Sequence, residues 1–338
     1  MFPNQMTRNA IYKGSDVALT SLSSTTPTIR ETWRTVQPTD DAKYADAVQN
    51  EGSVFGWRKK GRGARWIIHV VNIAGMIYYV VLSSVLALIT YYVTLPAVYT
   101  NDSLTYRRIL LHFLFINMML NYILLQFYGR RFHGMRSGAK PLLPTHTRTE
   151  RAFCERCQAT VVARAKHCYM CDVCVLKRDH HCFFAGCCVG FHNQRYFVVF
   201  CFYASLGSLF CLYIISEHLR LTYANIFSYE VYRFLLPWCL VEWLFRGLSS
   251  GTLAMIFLFY MTIPTCLGCI WFAVQQFWLI YRGQTTYEYL KGIKTYRTFT
   301  ADHFRSVFGS FWPLNFILPM PWFRQHGNGK DWNVLKHV

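Results

Sequence analysis

Acidic residues are scarce. The 338-residue chain carries 17 Asp and Glu against 35 Lys and Arg, a formal charge of +18, and only 15% of its residues are charged. That balance argues against an ordinary soluble domain, because 53% of the chain is hydrophobic and 17% aromatic. A multi-pass membrane protein with apolar spans and basic cytoplasmic loops has this composition. It also argues against a nucleic-acid partner, since the basic residues flank apolar runs instead of forming a domain of their own. No apolar core follows Met1, so no secretory signal is expected and the first span should act as its own insertion signal. Residues 1–57 are polar and rich in Thr and Ser, which predicts a mostly disordered segment. No internal repeat is evident.

Four apolar stretches reach the roughly 20 residues that a bilayer requires. They run from about Trp66 to Val93, Ile109 to Phe127, Tyr196 to Ser216 and Thr252 to Tyr281. A fifth, Phe234 to Phe245, is too short to span and contains Pro237 and Glu242. It should lie on the membrane surface or re-enter it. Orientation follows the Lys/Arg bias. Arg58, Lys59, Lys60, Arg62 and Arg65 precede the first span, and the segment from Gly129 to Arg195 holds twelve Lys/Arg against four Asp/Glu. Both should be cytosolic, as should the N-terminus and the segment after the fourth span. Arg107 and Arg108 fall on the opposite side, against the rule. Asn101-Asp102-Ser103 is an N-glycosylation sequon in the expected lumenal loop.

Eight of the thirteen cysteines lie between Cys154 and Cys188, where little aliphatic material is available for a core. A segment so small needs staples, and in reducing cytosol metal–thiolate bonds supply them in preference to disulfides. The ligands can be divided into two interleaved Cys3His sets, a partition that spacing alone does not fix: Cys154, Cys157, His167 and Cys174, then Cys168, Cys171, His181 and Cys188, each of the closed structural zinc type. Spacing alone leaves His180 open as a substitute for His181, and Cys187 as a substitute for Cys188. The surplus Cys182, beside a His and an Asp, is a candidate nucleophile.

This run, Cys154-x2-Cys157-x9-His167-Cys168-x2-Cys171-x2-Cys174-x4-Asp179-His180-His181-Cys182-x5-Cys188, resembles the cysteine-rich domain of the DHHC protein S-acyltransferases. The likeness extends through Gly190, Asn193 and Phe197, and Thr285-Thr286-Tyr287-Glu288 resembles the family's TTxE motif. It implies an all-α integral membrane fold of four transmembrane helices, with a small cytosolic zinc-stapled domain between helices 2 and 3. The implied boundaries are a cytosolic N-terminus (1–57), helices 1 and 2 (58–128), the zinc domain (129–195), helices 3 and 4 (196–281) and a cytosolic tail (282–338). That tail should pack near the membrane. The resemblance implies two structural zinc ions, with His181 as ligand and His180 free. It also implies an endomembrane location, the Golgi ahead of the endoplasmic reticulum and plasma membrane.

The implied activity is transfer of a long-chain acyl group, foremost palmitoyl, from acyl-CoA to Cys182 and then to cytosolic cysteines of membrane-associated proteins. His180 would take the thiol proton and Asp179 would orient the imidazole, the logic of a nucleophile–base–orienter triad. Residues so close in the chain cannot all face one another in a regular helix or strand, so a bend is expected there, which zinc ligation of His181 could enforce. Thr286, with Thr285 and Glu288, would support Asp179. Arg164, Lys166, Lys177, Arg178 and Arg195 are candidate partners for CoA phosphates. Ala204, Ser205, Gly207 and Ser208 in the third span suit helix packing ahead of lining an acyl cavity.

The chain departs from the family in several places. Phe183-Phe184 replaces Pro-Trp, Ala185-Gly186-Cys187 replaces an Asn-containing stretch, and His303 stands where Asn is expected. The altered loop after Cys182 supports the competing expectation of a catalytically impaired, zinc-stabilised membrane adaptor. The spans hold few charges, which argues against a channel or transporter.

Overall fold

The computed structural model describes residues 62–132, 151–162, 164–296, 300–310, 312–322, 325, 327 and 329. The segment expected to be disordered, 1–57, and the end of the tail lie outside them. Four helices are long and apolar enough to cross a membrane. The first combines α1 (Arg62–Ile89), a π turn at Thr90–Thr94 and α2 (Leu95–Val98). The π turn directly precedes Pro96, which has no N–H to give to the helix. The others are α3 (Asn101–Arg131), α4 (Gln194–Thr222) and α6 (Ser250–Tyr281).

These helices overrun the apolar stretches read from hydropathy. The first continues past Val93 to Val98 and the second begins at Asn101, not Ile109. Hydropathy falls at Arg107 and Arg108, but helical bonding does not, because aromatic faces receive both cations. The Arg107 guanidinium lies 3.6 Å from the Tyr99 ring centre and that of Arg108 lies 4.6 Å from the Tyr91 ring. The two charges that broke the positive-inside pattern therefore have partners. The short apolar segment forms α5 (Leu236–Phe245) and does not span. Its Glu242 accepts hydrogen bonds from Tyr223 (2.7 Å), Trp238 (2.9 Å) and Arg233 (3.2 Å).

Helix α4 is the centre of the bundle, flanked by α3 and α6. Most of it is buried, whereas the first span is mostly exposed. Tyr196, Val198, Ile214, Ile215 and Leu219 of α4 are almost completely enclosed. The segment after α6 holds α7 (Thr286–Leu290) and α8 (Thr300–Phe308). Val307 and Phe308 of α8 join the same core as Tyr196, Val198 and Val199. The tail packs against the bundle, as its aromatic content suggests. His303 also keeps a contact to the fourth span, its Nδ1 lying 3.1 Å from the Tyr281 carbonyl at the end of α6.

Between α3 and α4 the cysteine-rich segment forms three antiparallel hairpins. These are β1 (Arg151–Cys154) with β2 (Ala159–Val162), β3 (Lys166–Cys168) with β4 (Val173–Val175), and β5 (His180–Cys182) with β6 (Cys187–Val189). Their registers reveal a repeat that hydropathy does not show. Phe153↔Thr160, His167↔Cys174 and His181↔Cys188 are equivalent pairs, each fourteen residues beyond the last. Cys154, Cys168 and Cys182 end the first strand of each hairpin, and Val161, Val175 and Val189 recur with the same period. The repeat is carried by ligand positions, so the expectation of no internal repeat is corrected by the strand registers.

Candidate active site and metal centres

Each metal set joins two consecutive hairpins. The turn of one supplies a Cys-x-x-Cys pair and the next supplies a His/Cys pair that faces across the strands. Cys154 and Cys157 meet His167 and Cys174; Cys168 and Cys171 meet His181 and Cys188. Within each set all four ligand atoms lie within 4.8 Å of one another. In the first, His167 Nδ1 is 3.7, 3.3 and 3.9 Å from the sulfurs of Cys154, Cys157 and Cys174. In the second, His181 Nδ1 is 3.7, 3.2 and 3.7 Å from those of Cys168, Cys171 and Cys188. Tetrahedral zinc with Zn–S near 2.3 Å places ligands about 3.8 Å apart, so the donor sets and spacings fit zinc. The residues read from spacing as two sets are brought together in that partition.

The alternatives left open by spacing are resolved by strand geometry. Successive side chains on a strand face opposite ways. His181 faces the metal set, so His180 and Cys182 share the other face. No sharp bend is needed, contrary to the expectation, because alternation along β5 does the same work. The remaining candidate, Cys187, is fully buried and turned toward α3, its sulfur 3.9 Å from the Leu125 carbonyl. The third hairpin also explains why Cys182 is left over. Ala185 occupies the position held by Cys157 and Cys171 in the other two, so Cys182 has no second turn cysteine with which to grip a metal.

Asp179 is fully enclosed and accepts four hydrogen bonds. His180 Nδ1 (2.7 Å), Gln276 Nε2 (2.9 Å) and Thr286 Oγ1 (2.8 Å) reach Oδ2, and the Thr286 N–H (2.7 Å) reaches Oδ1. Burial opposes its ionisation, but the bonds from His180 and Thr286 outweigh burial and lower its pKa. Burial likewise opposes charge on His180. The hydrogen bonds to Asp179 and Cys182 prevail and raise its pKa to about 9. The ring lies between Phe197 and Phe272, at centroid distances of 4.9 and 6.4 Å.

Thr286 reaches Asp179 because Thr285 caps α7. Its hydroxyl accepts from the Glu288 N–H while Glu288 reaches back to the Thr285 N–H, a reciprocal capping box. Glu288 also receives Arg164, with Nε and Nη2 at 2.6 and 2.7 Å.

That pairing corrects the expectation that Arg164 faces a phosphate. It is 4% exposed and committed to Glu288 and the Gly283 carbonyl. Lys166, Lys177 and Arg195 are also buried. Arg195 reaches the Tyr196 hydroxyl and the Pro321 carbonyl, and burial and Arg164 lower the Lys177 pKa to about 7. Only Arg178 of the five is even partly open. The basic residues of this segment serve the fold before they serve a ligand.

Cys182 opens onto an apolar cavity of about 280 Å³ that runs between the spans. Tyr79 and Leu86 of α1, Leu114 and Met118 of α3, Phe197 to Cys211 of α4 and Pro264 to Phe272 of α6 contribute to its wall. Ala204, Gly207 and Ser208 line it, and a Cβ built on Gly207 would touch nothing within 4 Å. At these three positions smallness makes space, correcting the helix-packing reading; Ser205 is buried but does not line the cavity. Two polar residues that sequence reasoning passed over act at the site, Gln276 on Asp179 and Asn72 on His181 (3.1 Å). Their signal was an amide inside an apolar span, which is unusual and requires a partner.

Comparison with known proteins agrees with this geometry. The family model described as DHHC palmitoyltransferase matches residues 147–293. The chain is 27% identical over 264 residues to "Palmitoyltransferase ZDHHC22" of Rattus norvegicus, covering 75% of this chain and 94% of that one. It is 34% identical over 169 residues to "Probable palmitoyltransferase ZDHHC24" of Rattus norvegicus, covering 50% and 59%. It is 29% identical over 296 residues to "Palmitoyltransferase ZDHHC16" of Mus musculus, covering 79% and 77%. Residues 147–293 thus match the DHHC palmitoyltransferase family model, in a chain with four helices long and apolar enough to cross a membrane and with homology to these palmitoyltransferases.

Proposed function

We propose that this protein is an acyl-CoA-dependent protein S-acyltransferase that works in two steps through Cys182. The observation that carries the reading is the joining of Asp179, His180 and Cys182 at the head of an apolar cavity, with Asp179 fixed from both the fourth span and the following segment.

In the first step the Cys182 thiolate attacks the acyl-CoA thioester carbonyl. The new carbon–sulfur bond forms, the bond to CoA breaks, and the CoA thiolate receives a proton from His180. In the second step His180 takes the proton of a substrate cysteine, whose sulfur attacks the acyl-enzyme carbonyl; the new carbon–sulfur bond forms, the bond to Cys182 breaks and Cys182 leaves as the thiolate. One thioester replaces another, so the protein's task is positioning and activation. A proton on His180 sets a cation beside Cys182, surroundings that favour the nucleophilic thiolate. Asp179 holds the imidazole and stabilises its charge, while Gln276 and Thr286 hold Asp179.

Bound zinc would fasten each hairpin to the next, and His181 would transmit that fastening to the strand that carries His180 and Cys182. The acyl chain would enter the cavity, each buried CH2 contributing about 0.8 kcal/mol. The cavity walls along α4 from Phe197 to Cys211 extend about 21 Å, which suits a long chain such as palmitoyl.

The positive-inside pattern supports a cytosolic zinc domain and cytosolic termini, hence substrates with cytosolic cysteines at a membrane. A Golgi location among the endomembranes is the corresponding proposal. The impaired-adaptor reading rests on the altered 183–187 loop alone, and the intact Asp179–His180 bond disfavours it.

The test is to incubate the detergent-purified protein with labelled palmitoyl-CoA. Label held by wild type, released by hydroxylamine and missing from Cys182→Ser is the expected result. A folded, zinc-loaded wild type that takes no label from acyl-CoAs of several lengths would sink the proposal and favour the adaptor.

A further inference from the structure

The first span lends little to the bundle core, since most of its surface faces outward. Near its start, however, four residues at i, i+3, i+4 and i+7 form one stripe directed at the third hairpin. Asn72 Oδ1 lies 3.1 Å from His181 Nε2. A Cβ on Gly75 would lie 2.9 Å from the Phe183 carbonyl oxygen, so only glycine admits the backbone that follows Cys182. The Met76 sulfur would lie 2.8 Å from a Cβ on Gly186, whose φ of 62° already favours glycine. Tyr79 packs against Tyr122 with tilted rings 4.7 Å apart, and the Tyr122 hydroxyl donates to the Phe184 carbonyl at 2.7 Å. This stripe meets the stretch where the chain departs from its family.

We propose that Asn72 is a positioning residue for acyl transfer, acting from the first span through His181. His181 Nδ1 faces three sulfurs, so metal binding there leaves the proton on Nε2, where the Asn72 carbonyl accepts it. A fixed outer hydrogen bond sets both the tautomer and the ring orientation of a metal-bound histidine. His181 stands between His180 and Cys182 on β5, so a ring that tilts on its metal shifts both neighbours. An amide placed in an apolar span otherwise has no favourable setting. The first span thereby sets the register of the catalytic strand, and Gly75 gives it room to approach.

The proposal rests on the transferase reading for its effect on acylation, but its effect on metal is independent of that reading. The experiment uses the full chain in detergent with zinc bound, comparing wild type, Asn72→Leu and Asn72→Asp. It measures zinc transfer to a chromophoric chelator and, separately, the single-turnover rate of labelling by palmitoyl-CoA.

In Asn72→Leu, half of the bound zinc should transfer about ten- to a hundred-fold faster while the other half keeps the wild-type rate. Labelling of the zinc-saturated variant should slow. Asn72→Asp, which still accepts the Nε2 proton, should restore both measurements. Wild-type transfer of all the zinc from Asn72→Leu would overturn the proposal. If Asn72→Leu loses both metals together, as an unfolded variant would, Asn72→Asp decides: retention at or above wild type supports the proposal and faster release overturns it. A wild type that takes no label would count against the transferase reading alone, because the chelator result still decides the role of Asn72.

Discussion

Asp179 is bound more tightly than any other side chain of the proposed triad. All four of its hydrogen bonds arrive from donors, and it has no exposed surface through which water could replace one. Asp179→Asn places an amide donor among those donors and removes the charge that favours the imidazolium. Acyl-enzyme formation should fall by about 10²- to 10⁴-fold, measured by single-turnover labelling, with zinc content unchanged. His180 titrates near 9 in place of its ordinary 6.5, so its proton favours the folded state. That stabilisation is complete below about 6.5 and is lost as pH rises through about 9. Thermal melting should therefore drop over this window in wild type, and the drop should shrink in His180→Gln. Labelling should show an alkaline decline near pH 9, because His180 then has no proton to give the departing CoA. The triad residues were legible from their neighbourhood in sequence, since two complete metal sets leave Cys182 over and place it beside a base and a carboxylate. Gln276 was not, because the Gln275-Gln276 pair in an apolar run says nothing of which neighbours either amide will meet.

The hairpins and the short helix after the fourth span depend on each other. Arg164 stands just past the first hairpin at a φ of 63° and enters a buried site where Glu288 pairs with it. Both side chains are 4% exposed, so removing one leaves a buried charge without compensation. Glu288→Gln should cost about 3–5 kcal/mol of stability, and Arg164→Met combined with Glu288→Leu should recover most of it. Denaturant melts of both variants in detergent would test this; equal losses in the single and double variants would contradict it. At this scale the sequence was read unevenly. Metal spacing gave the candidate ligands, the family likeness supported their partition into two sets, and the TTxE likeness pointed to Thr286. Which cations were spent on the fold could not be seen, because Arg164 and Glu288 lie 124 residues apart. The fourteen-residue period was present in plain letters, yet it became meaningful only once three strand registers stood side by side.

Across the whole molecule, the cavity between the spans is lined by small residues of α4, namely Ala204, Gly207 and Ser208. Gly207 is the position at which α4 most clearly yields space, with nothing near its missing side chain. Gly207→Phe should fill the far part of the cavity and shift preference toward shorter acyl chains. Labelling with a series of acyl-CoAs would show palmitoyl falling at least about ten-fold against a chain shorter by several carbons, taking about 0.8 kcal/mol per excluded CH2. An unchanged preference would place the chain elsewhere. The number of spans was readable from hydropathy because a bilayer sets a minimum length. Their ends were not, since aromatic rings shield Arg107 and Arg108 from the cost that hydropathy assigns them.

The bond from Thr286 to Asp179 joins residues 107 apart. A ribosome therefore finishes the zinc hairpins and the nucleophile long before it reaches the threonine that completes their support. Through the synthesis of the third and fourth spans, the nascent chain carries a cysteine whose histidine lacks its full anchorage. The finished site appears only after the fourth helix has entered the bilayer and the chain has turned back to meet the hairpins. On the proposed reading, completion of the site and completion of membrane insertion are thus one event, and a chain arrested before that point would lack the Thr286 bonds to Asp179.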